Sequence, residues 1–186
     1  VSVDLVREVA RRLDLPYELV TFNAAGAVVD AVKARNVDLA FVAIDPVRGA
    51  DMDYTAPYVI IEGAYAVRNG SPLLRNEDVD RADTRVAVGR GSAYDLFLTR
   101  EIKQATLVRV ATSPVVMDEF LAQGLDVAAG VKQQLETDAR RVGGVRLLPG
   151  RFMAIEQAMA VPKGRTAAQA WLGAFIEEMK SSGFVA

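Results

Sequence analysis

Arg48 is the side chain whose type and position point most directly to a binding chemistry. It stands in the polar stretch Asp45-Pro46-Val47-Arg48-Gly49-Ala50-Asp51, directly after the apolar run Leu39–Ala43. Such a run reads as a strand buried on both faces, and the loop at a strand's carboxyl end is where open α/β sheets hold their ligands. A guanidinium fixed there can grip a carboxylate through two parallel N–H···O bonds, although on position alone the plainer account of Arg48 is one of many solvated surface arginines. Asp45 joins the candidate site by its place in the same loop, and Asn23 by its place in the loop Asn23-Ala24-Ala25-Gly26. A second anion-directed feature is the strand-to-helix turn Val88-Gly89-Arg90-Gly91-Ser92-Ala93. Glycines such as Gly91 let backbone approach a ligand, and free amides at Ser92 and Ala93 would open a helix whose dipole favours negative charge. Ser92 would also cap any helix, which is the plainer account of it.

Other chemistries are closed by composition. The chain of 186 residues contains neither cysteine nor histidine. Disulfides, thiolate or imidazole metal ligation, and Ser-His-Asp or Cys-His catalysis therefore have no residues to work with. No metal or cofactor is expected. A net charge of −2 argues against nucleic acid as a partner, since phosphate binding needs a basic surplus. Half of the residues are apolar, enough to bury a core in one domain or in two small lobes. No apolar run approaches a membrane span, and no signal peptide opens the chain.

The elements that must position these residues alternate along the chain. Leu5, Val6, Val9, Ala10 and Leu13 recur at helical spacing up to Asp14-Leu15-Pro16. Tyr17–Phe22 reads as a strand, and Val28, Val29 and Val32 mark a second helix closing at Arg35-Asn36. Ile60–Arg68 and Ala158–Pro162 read as two long strands. Between them lies a unit of its own: strands at Arg85–Val88, Leu107–Val110, Val127–Ala129 and Val145–Leu148, with helices at Ser92–Ile102, Pro114–Leu121 and Val131–Arg140. Ala167–Met179 is an amphipathic helix, with Trp171, Leu172, Phe175, Ile176 and Met179 on its apolar side.

The stretch Asp38–Tyr58 resembles the segment of extracytoplasmic solute-binding proteins of the polar amino acid uptake type, in which a strand leads to Thr-x-x-Arg and an aromatic-Ser/Thr-x-Pro-Tyr element. Arg48 matches the arginine, and Tyr54-Thr55-Ala56-Pro57-Tyr58 matches the element. Val3–Ala10 is similar to the family's first helix, and Gly124–Ala129 to its Gly-x-x-Asp-Ala signature. The resemblance implies a two-lobed periplasmic-binding-protein type II fold, each lobe a mostly parallel sheet flanked by helices, joined by two hinge strands. Lobe 1 would comprise residues 1–66 and 163–186, lacking the family's first strand and last helix, and lobe 2 residues 67–162. It further implies that Gly91, Ser92 and Ala93 face Arg48 across the cleft. Gly130 and Val131 stand where amino acid binders carry an aspartate for the ligand ammonium, and the loop at Asn23 lacks the aromatic that stacks on the ligand.

The function so implied is that of a monomeric, non-catalytic binding component of an ABC importer. It would sit in the periplasm, its signal peptide outside this sequence, capture a small carboxylate-bearing solute, and present it to an inner-membrane permease. Two alternatives come with the same fold. Cyclohexadienyl dehydratases carry a glutamate before the second hinge strand, where Phe152–Ala158 places Glu156; desolvated, that carboxyl could act as a general acid, and otherwise it is a polar contact of the site. The fold is also reused as a ligand-sensing domain of regulators.

Overall fold

The computed structural model describes residues 1–185. The apolar stripe of the first segment becomes helix α1 (Ser2–Leu13), with Leu5, Val9 and Ala10 buried. Asp14 ends it in the left-handed region at φ 51°. Helix α2 (Ala25–Lys33) buries Ala31 and Val32. Strand β1 (Ala40–Ala43) then runs between two apolar clusters. Ala40 and Val42 pack with Val32, Met52 and Ala160, while Leu39 and Phe41 pack with Leu5, Tyr58, Met159 and Ile176. This is the two-sided burial that its composition predicts.

The chain continues through β2 (Met52–Tyr54), too short to show a period in sequence, and the ten-residue strand β3 (Val59–Arg68). The inserted unit follows: β4 (Arg85–Gly89), α3 (Ala93–Glu101), β5 (Thr106–Val110), α4 (Val116–Ala122), β6 (Val127–Val131), α5 (Lys132–Val142) and β7 (Val145–Leu147). A second ten-residue strand, β8 (Met153–Pro162), returns to the first part, and α6 (Thr166–Ser181) closes on it. Arg12 of α1 holds Glu178 of α6 through paired 2.7 Å bonds and lies over the Phe175 ring.

The strands run in the order β1-β8-β3-β6-β4-β5, with β2 also on β8 and β7 also on β3. β3 pairs with β8 from Val59 to Gly63, then moves on to β6 and β7, while the rest of β8 pairs with β1 and β2. The two long strands thus pass between one core around β1 and α6 and another around β4 and β6. Parallel pairing is confined to β4–β5 and β4–β6; every other ladder is antiparallel. The lobes are less parallel than the expectation because the crossing strands oppose both β1 and β6.

Tyr17–Phe22 is a correction. Residues 15–22 form no strand, and Tyr17, Leu19, Val20 and Phe22 are exposed. A strand needs an edge to pair with and a face to bury. β1 pairs on one side with β8, and its other side opens on a groove of about 860 Å³ that separates it from this segment. Strand-favouring residues alone do not bridge that gap.

Candidate functional site

Asp45 builds the turn that delivers Arg48. Its Oδ1 accepts the Val47 amide at 2.8 Å, its own carbonyl accepts the Gly49 amide at 3.0 Å, and Pro46 sets the backbone between them. One 3-10 turn at Arg48–Ala50 follows, and the guanidinium folds back over the end of β1. Arg48 is only 3% exposed. It donates to the Ala43 carbonyl at 3.2 Å and, from the other lobe, to the Gly91 carbonyl at 2.9 Å. Among the described residues no carboxylate lies within salt-bridge distance of it. Burial pulls this guanidinium below its ordinary pKa, opposed by Tyr54 and Asp45. It stays charged at neutral pH all the same, so a desolvated cation rests on two neutral carbonyls.

Asp45 is nearly as buried, at 4% exposed, and its other oxygen accepts Arg100 of α3 at 3.0 Å. The two lobes therefore touch through two arginines, one from each side. Backbone approaches closely here as well. Gly91 sits at φ +67°, and a β-carbon on it would stand 3.6 Å from the Gly26 Cα at the start of α2. The left-handed turn requires a glycine.

The α3 end differs from the expected open anion seat. The Ser92 amide is not free; it donates to the Gly89 carbonyl at 3.1 Å. The Ser92 hydroxyl caps Asp95, whose carboxylate accepts the Gly91 amide at 2.8 Å and Arg109 at 2.9 Å. The helix is capped from within, as the plainer account of Ser92 holds. Ala93 packs its side chain against the core.

Arg48, Asp45, Gly91, Ser92 and Ala93 are thus gathered at one junction. Asn23 is exposed in the loop before α2, and its side chain makes no hydrogen bond among the described residues. Glu156 is exposed too. It lies on the opposite face of β8 from Ile155, which packs with Ala43 and the second core. It therefore lacks the desolvation that a general-acid role needs. Sequence reasoning missed Arg100, which looks like any exposed helical arginine until the fold brings it to Asp45. Tyr54, read in sequence only as part of the aromatic-Ser/Thr-x-Pro-Tyr element, has its hydroxyl buried with no hydrogen-bond partner among the described residues. Among the described residues, no three acidic side chains converge to hold a metal.

Buried phenols make the stability sensitive to alkali. Burial pushes Tyr54 up to about 12 and also raises Tyr58, Tyr65 and Tyr94. In the unfolded chain these phenols ionise near their ordinary value of 10.0, so the unfolded state loses protons first. The stabilisation is whole below that value and falls as pH rises through it. Tyr54, with the largest part of its fall between pH 10 and 12, contributes to that loss, screened in part by solvent at this half-buried site. Urea midpoints measured from pH 8 to 12 should fall steeply above 10, and Tyr54→Phe should flatten the fall.

The whole chain, residues 1–186, matches the family described as bacterial extracellular solute-binding proteins, family 3. No curated protein matches it. Among solved structures, it is similar to the substrate-binding protein of an amino acid ABC transporter, with a TM-score of 0.83 and 18% identity over 99% of this chain and 83% of that one. A histidine kinase sensor domain similar to periplasmic binding proteins aligns at a TM-score of 0.83 with 22% identity, over 98% and 81% of the two chains. An ancestral amino acid-binding protein, AncCDT-1, a precursor of cyclohexadienyl dehydratase, aligns at 0.81 with 19% identity, over 98% and 80%. At these identities the neighbours establish the two-lobed type II fold. No helix among the described residues is long and apolar enough to cross a membrane. Two lobes joined by long crossing strands, with a full-length family match, place this chain among the bacterial extracellular solute-binding proteins of family 3.

Proposed function

We propose that the protein is the binding component of an ABC importer, capturing a small carboxylate-bearing solute between its lobes. The observation that carries this reading is Arg48, a buried guanidinium that spans the lobe junction with only carbonyl oxygens as partners. Burying a cation without an anion is costly, and a carboxylate taking the place of the Gly91 carbonyl would supply two charge-assisted bonds. The solute would then bridge residues 1–66 and 163–186 on one side to 67–162 on the other; Ala186 lies outside the described residues. Asp45, Gly91, Ser92 and Ala93 would line the junction, with Asn23 and Glu156 at its margin. Closure follows because the bridging ligand adds contacts only in the closed form. Two of the three relatives named above, the binding protein of an amino acid ABC transporter and the ancestral amino acid-binding protein, support a periplasmic protein that hands its solute to an inner-membrane permease; we take it to act as a monomer. A non-catalytic role fits the exposed Glu156 better than a dehydratase does.

Thermal unfolding with amino acids, opines and organic acids tests this. A true ligand at about 100 times its Kd adds roughly 2.7 kcal/mol, a readily measured rise in Tm. Absence of a shift with every carboxylate would refute the reading.

A further inference from the structure

Charge at the lobe junction narrows the ligand. Three arginines, Arg48, Arg100 and Arg109, meet two buried carboxylates, Asp45 and Asp95. Asp95 is held by Arg109 and by the Gly91 amide, and Asp45 by Arg100 and the Val47 amide. Both carboxylates are therefore taken, and Arg48 alone is left without a counter-charge. The junction can neutralise one negative charge and, among the described residues, has no buried carboxylate free for a positive one; the unpartnered Tyr54 hydroxyl is a neutral acceptor only. We infer that Arg100 is a specificity-determining residue: by occupying Asp45 it selects carboxylates that carry no ammonium group beside the carboxylate, and rejects the corresponding zwitterionic amino acids. This rests on the proposal that Arg48 anchors a carboxylate.

The physical reason is that a desolvated ammonium with no free carboxylate to balance it gives up its water for neutral acceptors at best. It would also lie near the guanidinium of Arg100 if Asp45 were its only target. An unsubstituted acid places a C–H bond there and meets neither penalty. Specificity built from an internal cation of this kind acts by excluding the wrong ligand more than by gripping the right one.

The test uses matched pairs that differ only in the ammonium group: propionate with alanine, isocaproate with leucine, succinate with aspartate and hydrocinnamate with phenylalanine. Binding is measured by calorimetry on the protein, Arg100→Gln and Arg100→Lys, with ligand-free unfolding as a check that each variant is folded. For whichever pair binds, the unaltered protein should favour the acid by about tenfold or more. Arg100→Gln frees Asp45 and should reduce or invert that ratio through a gain in amino acid affinity. Arg100→Lys keeps the cation and should keep the preference. Equal or tighter binding of the amino acid by the unaltered protein would overturn the inference while leaving Arg48 as an anion anchor. So would a ratio that Arg100→Gln does not move. Binding of neither member of any pair would overturn both this inference and the carboxylate reading beneath it.

Discussion

Arg48→Met should abolish the carboxylate response while leaving the protein folded. Removing a buried guanidinium that makes two charge-assisted bonds to a ligand costs affinity by about 100-fold or more. Stability should change far less, by about 1 kcal/mol in either direction. Methionine replaces the apolar stem though not the guanidinium, and it relieves the burial of a cation that no carboxylate balances. Against this, the carbonyls of Ala43 and Gly91 lose their donor. Calorimetry and thermal unfolding on the same variant separate the two effects. Undiminished carboxylate binding by a folded Arg48→Met protein would remove Arg48 from the site. A collapse of stability would mean that it is a brace between the lobes.

Gly89→Ala should destabilise the second lobe by about 1–3 kcal/mol, the range for forcing atoms into a packed site. Gly89 ends β4, and a β-carbon there would lie 2.7–2.8 Å from the nitrogen, Cα and Oγ of Ser113. Two of those three atoms are backbone, so relief requires moving the strand end or the turn before α4. The same strand end leads into Gly91, and its displacement would shift the carbonyl that Arg48 holds. Gly173→Ala is the contrasting change. It lies inside α6 with nothing within 4 Å of an added β-carbon, and alanine there should stabilise by about 0.5–1 kcal/mol through helix propensity. Urea midpoints should move in opposite directions. Equal tolerance at both positions would show that the β4 end is looser than its contacts imply.

The order of helices and strands was legible because periodicity is local. The buried stripe of α1, the two-sided β1 and the inserted unit all follow from spacings within a dozen residues. Arg48 was legible for the same reason, since the loop that carries it adjoins the strand it folds back upon. Tyr17–Phe22 is rich in the aromatic and β-branched residues of a strand, yet a strand exists only with a partner, and the groove beside β1 supplies none. The antiparallel ladders likewise depend on where β3 and β8 cross, which no local pattern encodes.

The site divides along that same line. Residue type and position in the chain determined that an arginine would stand at the end of β1, and that a glycine-serine turn would open α3. Tertiary structure decided the rest. It placed the Gly91 carbonyl against Arg48, turned Asp95 inward to cap the helix that looked open, and carried Arg100 across 55 residues of sequence to Asp45. Pairings of charge at such separations depend on which surfaces the lobes bring together. A chain with two dozen acidic residues and nearly as many basic ones offers many possible pairs, and burial selects among them.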